Sequence, residues 1–173
     1  MKGTSRKNIR HLSVEEIEGW LSERGEPKFR AKQVYEWLWT KAVQHFDSMT
    51  NLSKNLRSQL ADQFTLPGLT LDLLQHSADG TDKFRFKTHD DHLIEGVLIP
   101  TVSRFTACVS SQIGCSLSCK FCATGYMERK RNLEFDEIYD QVAMINRHCE
   151  ATQGQKLSNI VFMGMGEPLL NYK

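Results

Sequence analysis

The 173-residue chain has no apolar run near the roughly 18 residues that a membrane-spanning helix needs, which excludes an integral helical membrane protein. Its start, Met1 to Arg10, is basic and polar and lacks the apolar core of a secretory signal, so a cytoplasmic location is expected. There is no internal repeat and no low-complexity tract. Charge of one sign is not in excess, since the net charge is +1. It is unevenly spread: residues 1–66 carry 11 Lys+Arg against 8 Asp+Glu, and residues 67–107 carry 4 against 6. The mildly basic front is compatible with nucleic acid without requiring it. Cysteine is missing from the first 107 residues, and all five cysteines follow, at 108, 115, 119, 122 and 149. An odd, clustered set in a chain without an export signal argues against a disulfide framework and for metal or thiol chemistry.

The apolar periodicity divides the chain. Ser13-x-x-Glu16 has capping-box spacing, and Val14, Ile17 and Leu21 follow at helical intervals. Gly25-Glu26-Pro27 ends that helix. Phe29, Val34, Leu38 and, from Tyr35, Trp39 predict a second helix near 29–43, and Met49 to Leu60 a third with Ser53 as a cap. These three make a helical domain over residues 1–66, closed by Pro67-Gly68. Leu69–Leu74, Lys83–Thr88, Leu93–Ile99 and Phe105–Val109 have strand character, with breaks at Asp79-Gly80 and Asp90-Asp91. Residues 67–107 thus read as a β-rich connector. A helix over Glu134–His148 follows, then a short apolar run, Asn159–Met163, that reads as a buried strand. Strand, cysteine loop, helix and strand open an alternating β/α pattern. The expected class is α/β, a small helical domain and β-rich connector leading into an incomplete (β/α) barrel over residues 108–173.

Cys115-Ser-Leu-Ser-Cys119-Lys-Phe-Cys122 has the spacing C-x3-C-x2-C. Three thiolates on one tight loop can hold three corners of a cubane iron–sulfur cluster, which leaves the fourth iron open. Gly114 and Gly125 let the backbone wrap closely. The competing reading is structural zinc with Cys108 as fourth thiolate, although zinc sites usually come as paired C-x2-C or with histidine. Downstream, Gly164-Met-Gly-Glu167-Pro follows an apolar strand, where an open α/β sheet places ligand-binding loops. Its glycines permit close backbone approach, and Glu167 can accept a hydrogen bond from an ammonium group.

The cysteine spacing is similar to the radical S-adenosylmethionine (SAM) signature, and the longer motifs narrow the resemblance. Thr106-Ala-Cys108-Val-Ser-Ser-Gln-Ile-Gly-Cys115 and Met163-Gly-Met-Gly-Glu-Pro-Leu-Leu-Asn171 resemble the RlmN/Cfr family of RNA adenine methyltransferases, closest to its RlmN branch. So do Pro27-Lys-Phe-Arg-Ala-Lys-Gln33, Met49-Thr-Asn-Leu-Ser53, and Asp79-Gly80 followed by Lys83-Phe-Arg-Phe86. The resemblance implies a [4Fe-4S] cluster on Cys115, Cys119 and Cys122 whose open iron chelates SAM. It implies Phe121 beside the SAM adenine, and Gly166 and Glu167 as SAM contacts. It implies Glu95 as a proton acceptor and Cys108 as the cysteine that resolves a covalent enzyme–RNA intermediate. That intermediate arises through a methylated cysteine near the family's C-terminus.

The implied reaction is methylation of adenine C2 in the peptidyl transferase centre of 23S rRNA and at the adenosine 3′ to the anticodon in tRNA. The implied partners are those RNAs and an electron donor of flavodoxin type, with a monomeric enzyme. No residue here matches the methyl-carrying cysteine. The expectation is therefore an N-terminal fragment, inactive in methyl transfer by itself. Two alternatives stay open, a Cfr-type C8 methyltransferase and a non-catalytic zinc-stabilised RNA-binding module. Cys149 matches nothing in the family and reads as structural. Trp20, Trp37 and Trp39 could stack on bases, but their helical spacing places at least one or two in the core. Arg129-Lys130-Arg131 is a weak phosphate-contact candidate.

Overall fold

The computed structural model describes residues 6–172, and these form two compact units that divide between Pro67 and Gly68. In the first unit, strand β1 (Lys7–Asn8) leads to helices α1 (Val14–Ser22), α2 (Phe29–Trp39) and α3 (Lys54–Gln63), and strand β2 (Phe64–Thr65) follows. Strands β1 and β2 pair in parallel, tying the start of the unit to its end. The Ser13 side chain accepts the Glu16 N–H, and the Glu16 carboxylate accepts the Ser13 N–H at 2.8 Å, a reciprocal cap that starts α1. Ser13→Ala is expected to cost about 1 kcal/mol, read as a lower urea midpoint of the first unit. Helix α2 stops at Trp39, earlier than its periodicity predicts, and Ala42 takes a left-handed φ of 49°. Helix α3 starts only at Lys54, because Ser53 caps it through the Leu56 N–H; Met49 is buried in the preceding turn.

Ile9, Ile17, Leu21, Val34, Leu38 and Leu60 form the centre of this unit's core. All three tryptophans pack against it. Trp20 meets Phe64 edge-on, and Trp37 Nε1 donates to Asn51 Oδ1 at 2.5 Å. Their faces serve packing and cation–π contacts: Arg24 sits over Trp20 and Lys41 over Trp37.

The second unit is built on strands β3 (Thr70–His76), β4 (Asp82–Lys87), β5 (Leu93–Pro100) and β6 (Phe105–Cys108). A short ladder of β7 (Gln112–Ile113) and β8 (Arg131–Asn132), helix α4 (Phe135–Gln153) and strand β9 (Asn159–Val161) complete it. The main sheet has the order β3-β4-β5-β6-β9. It is antiparallel except for its last pair, β6 with β9, which α4 connects. The mixed α/β class therefore stands, with a mostly antiparallel sheet. The strands expected as a connector and those expected to open a barrel share this one sheet.

One sheet face carries Phe84, Phe86, Ile94, Leu98 and Ala107 and buries them with Ile145 and Cys149 of α4. A Cβ on Gly96 would lie 3.1 Å from Ile145 Cδ1, so glycine there lets the helix sit close. Cys149 is fully buried in this core, and burial pushes its thiol pKa up. The buried Asp82 carboxylate bonds both His76 and His148, the latter at 2.6 Å, which pins α4 to β4 and β3. The expected buried strand is corrected by the structure. Asn159 and Ile160 are exposed, because β9 is the edge strand and only its β6 side is paired. Among the described residues no helix is long and apolar enough to cross a membrane.

Candidate functional site

The cysteine loop is an excursion from the sheet, closed at its neck. Gln112 pairs with Asn132 and Ile113 with Arg131, so the limbs on either side of the loop form a two-stranded ladder. Gly114, at φ 71°, turns the chain out of this ladder, and a Cβ there would fall 2.2 Å from the Glu128 carbonyl oxygen. No side chain fits at such a distance. Within the loop the backbone coils on itself. The Cys119 carbonyl accepts the Cys122 N–H at 3.0 Å, and the Cys122 carbonyl accepts the Gly125 N–H at 2.9 Å. A Cβ on Gly125 would lie 2.7 Å from the Cys119 oxygen, so this glycine lets the coil close. Both glycines anticipated at the loop are thus required by contact.

Two of the three sulfurs, those of Cys122 and Cys115, are served by backbone donors. The Gly125 and Thr124 N–H groups hold the Cys122 thiol below its ordinary pKa, which favours the thiolate. The Leu117 N–H donates to Cys115 Sγ at 3.5 Å. All three loop cysteines are half-buried, and Phe121 projects with 94% of its surface exposed. The structure does not gather the three sulfurs around one point. Among the described residues, the one group of three ligand atoms within 4.8 Å of one another is His89, Asp90 and Glu137. A single zinc with Zn–S near ~2.3 Å needs its sulfurs within about 4 Å of one another. A cubane takes each thiolate on a different iron and spreads them further. The donor set, three thiolate-capable sulfurs on a glycine-wrapped loop, two of them with N–H donors, fits the cluster. Cys108, the fourth thiolate of the zinc reading, lies outside the loop, buried on β6 with the Met163 N–H bonded to its sulfur.

The second motif is sewn to the root of this loop. The Gly164 N–H donates to the Val109 carbonyl at 3.1 Å, and the Met165 N–H to Ser110 Oγ at 2.8 Å. The Met165 carbonyl accepts the N–H groups of Ser111 and Gln112, and the Glu167 N–H donates to Gln112 Oε1 at 3.0 Å. Gly166, at φ 97°, is forced, because its Cβ would lie 2.5 Å from Gln112 Cβ. Glu167 Oε1 accepts the Leu169 N–H at 3.0 Å, which leaves Oε2 for a ligand. Asn171 Nδ2 donates to the Ser111 and Leu133 carbonyls, each at 2.9 Å. Gly166 and Glu167 are therefore held beside the residues that launch the cysteine loop.

Glu95 and Cys108 occupy one face of the sheet, the face turned away from α4. Val97 lies opposite Cys108 in register, and Glu95 is two residues along β5 from Val97. Burial pushes the Cys108 thiol up, so it is held protonated. Glu95 is half-buried and pairs with Lys83.

Three supporting residues escaped the motif reading. The buried Ser110 hydroxyl donates to the Glu95 carbonyl at 2.6 Å while accepting the Met165 N–H. The buried Gln141 of α4 accepts the Ser110 N–H at 2.8 Å and donates to the Ser110 carbonyl at 3.0 Å. Gln112 ties the loop neck to Glu167. Ser110 and Gln112 have one sequence signal, the polar run Ser110-Ser111-Gln112 between two apolar residues, and Gln141 has none.

The basic run is a structural fixture at Arg131, whose guanidinium bonds both Asp90 and Glu137. That guanidinium supplies the positive charge to the His89–Asp90–Glu137 group. Bonded by Arg131, the Asp90 carboxyl sits well below the usual carboxylate range. A depressed folded-state pKa stabilises above the unfolded value near ~4 and is lost as pH falls towards the folded value. The urea midpoint of the second unit is expected to drop between about pH 5 and about pH 3, and Asp90→Asn to shrink that drop.

Residues 7–66 match the family described as the ribosomal RNA large subunit methyltransferase N-terminal domain. The chain is 57% identical over 167 residues to a probable dual-specificity RNA methyltransferase RlmN of Cytophaga hutchinsonii, covering 96% of this chain and 46% of that protein. It is 45% identical over 172 residues to the dual-specificity RNA methyltransferase RlmN of Nitratidesulfovibrio vulgaris, covering 95% and 47%. The crystal structure of a radical SAM methyltransferase from Sphaerobacter thermophilus superposes with a TM-score of 0.84 at 41% identity, over 96% of this chain and 49% of that one. The chain spans about half the length of the curated relatives it matches.

Proposed function

Because this chain belongs to the RlmN family, we propose that it supplies the cluster loop, the first SAM contacts and an RNA-holding unit to a radical SAM RNA methyltransferase. The observation that carries this reading is the union of the two motifs. Backbone and side-chain hydrogen bonds from residues 109–112 fasten Gly164–Glu167 to the neck of the cysteine loop. Cys115, Cys119 and Cys122 would hold a [4Fe-4S] cluster, and Phe121, Gly166 and Glu167 would hold SAM. When bound, the cluster and SAM together supply radical chemistry for an unreactive adenine carbon.

The chain's own residues do the rest. Glu167 Oε2 is placed to take an ammonium group. Glu95 accepts a proton. Cys108, kept as a thiol by burial, is the cysteine that would resolve the covalent intermediate, and it shares its sheet face with Glu95. The substrate in this reading is adenine C2 of 23S rRNA and of the tRNA position 3′ to the anticodon. The enzyme works as a cytoplasmic monomer with a flavodoxin-type donor, and this stretch alone does not complete methyl transfer.

The helical unit supports an RNA role through a groove of about 660 Å³ whose lining includes Arg6, Lys54 and Arg57 against the single carboxylate of Asp47. Such cations suit a phosphate backbone. The test is anaerobic assay of the complete protein on both RNAs, with mass spectrometry of the nucleosides. 2-Methyladenosine from the complete protein, and none from residues 1–173, supports the reading. 8-Methyladenosine would move the chain to the Cfr branch, and no methylated adenosine from the complete protein would overturn it.

A further inference from the structure

The Asp79-Gly80-x-x-Lys83 motif has no role in the site as described so far, and its lysine reaches into that site. On the sheet face turned away from α4, β4 presents three cations in alternation, Lys83, Arg85 and Lys87. Each has one anionic partner. Arg85 lies directly opposite Glu95 in register, yet its guanidinium is taken by Asp72 of β3. Lys87 pairs with Asp91 in the following turn at 2.6 Å. Lys83 alone crosses diagonally to the middle of the sheet and places Nζ 2.8 Å from Glu95 Oε1.

We infer that Lys83 is a positioning residue for Glu95, holding one carboxylate oxygen so that the other, Oε2, is presented as the proton-accepting atom. This rests on the reading of Glu95 as the proton acceptor. In the step it serves, the proton leaves the substrate for Oε2, the carboxylate becomes a carboxylic acid, and the Lys83 ammonium keeps its own proton. Register explains why the lysine is needed. The neighbouring cation that geometry would have given Glu95 is diverted by Asp72, and Ser110 holds the Glu95 backbone but not its carboxylate. The pair is poorly suited to a stability role. The Lys83 and Glu95 side chains are 45% and 44% exposed, where ion pairs contribute little to folding. Its effect therefore belongs in rate.

The test uses the complete, cluster-loaded protein and single-turnover and steady-state methylation of RNA. Lys83→Met is expected to lower kcat about three- to tenfold with the RNA KM and thermal midpoint unchanged, and Lys83→Arg to recover most of the loss. Glu95→Gln is the reference, expected to lower kcat by at least about a hundredfold as loss of an acid–base group. Adding Lys83→Met to Glu95→Gln should then change nothing further, because the lysine acts through the glutamate. If Glu95→Gln is inactive while Lys83→Met keeps wild-type kcat, the inference fails and the reading of Glu95 survives. If Glu95→Gln keeps full activity, both fail. A Lys83→Met loss that persists undiminished in the Glu95→Gln background, or appears only in KM, also overturns the inference.

Discussion

Cys119→Ala is expected to abolish iron–sulfur uptake by the anaerobically reconstituted chain, while Cys108→Ala and Cys149→Ala keep it. The loop explains the asymmetry. Cys119 is the middle of three thiols on one backbone coil, and a cubane on two cysteines loses a corner. Cys108 sits apart on β6, and Cys149 is fully buried on the core face of α4. Iron and acid-labile sulfide per chain, with the visible absorption band, read the result. Full cluster content in Cys119→Ala would remove the loop from the account. Loss of cluster in Cys108→Ala would make Cys108 a ligand and restore the four-thiolate reading.

The second large effect is expected at a residue that touches no ligand. Gln141→Leu strips the Ser110 N–H and carbonyl of their side-chain partners in a site with no exposed surface. Each buried group left unsatisfied costs about 1–3 kcal/mol, so the loss is about 2–6 kcal/mol. Domain stabilities are typically only about 5–15 kcal/mol. The damage also spreads along function, because Ser110 holds the Glu95 backbone and the Met165 N–H. A large fall in the urea midpoint of the second unit is expected, with the first unit unaffected. A Gln141→Leu chain as stable as wild type would show that the Ser110 groups find other partners.

What the sequence disclosed follows from how local each feature is. The α1 start at Ser13 and the α3 cap at Ser53 depend on neighbours within a few residues, and the glycines at 114, 125 and 166 lie inside contiguous motifs, although the contacts that force Gly114 and Gly166 come from Glu128 and Gln112. They were readable from spacing. The exposure of β9 was not, because an apolar run looks the same whether its strand is central or at an edge. The direction of the sheet was equally hidden, since alternation marks β3 to β6 as strands without stating how they pair. Lys83, Gln141 and Gln112 owe their positions to pairing between elements, with partners from 12 to 55 residues away. Only pairing reveals that Asp72 diverts Arg85, or that a helix glutamine clamps both backbone groups of Ser110. Arg131 shows the converse: within a basic run suggestive of phosphate, this guanidinium is taken by Asp90 and Glu137, one of them 41 residues away.

The central claim is that residues 115–122 hold an iron–sulfur cluster with an open iron rather than a single zinc ion. Metal and sulfide analysis of the wild-type chain after anaerobic reconstitution, with iron and zinc both present, tests it most directly. The account predicts about four irons and about four sulfides per chain, a brown protein, and an electron paramagnetic resonance signal on reduction. One equivalent of zinc in a colourless protein, with no sulfide, would contradict it.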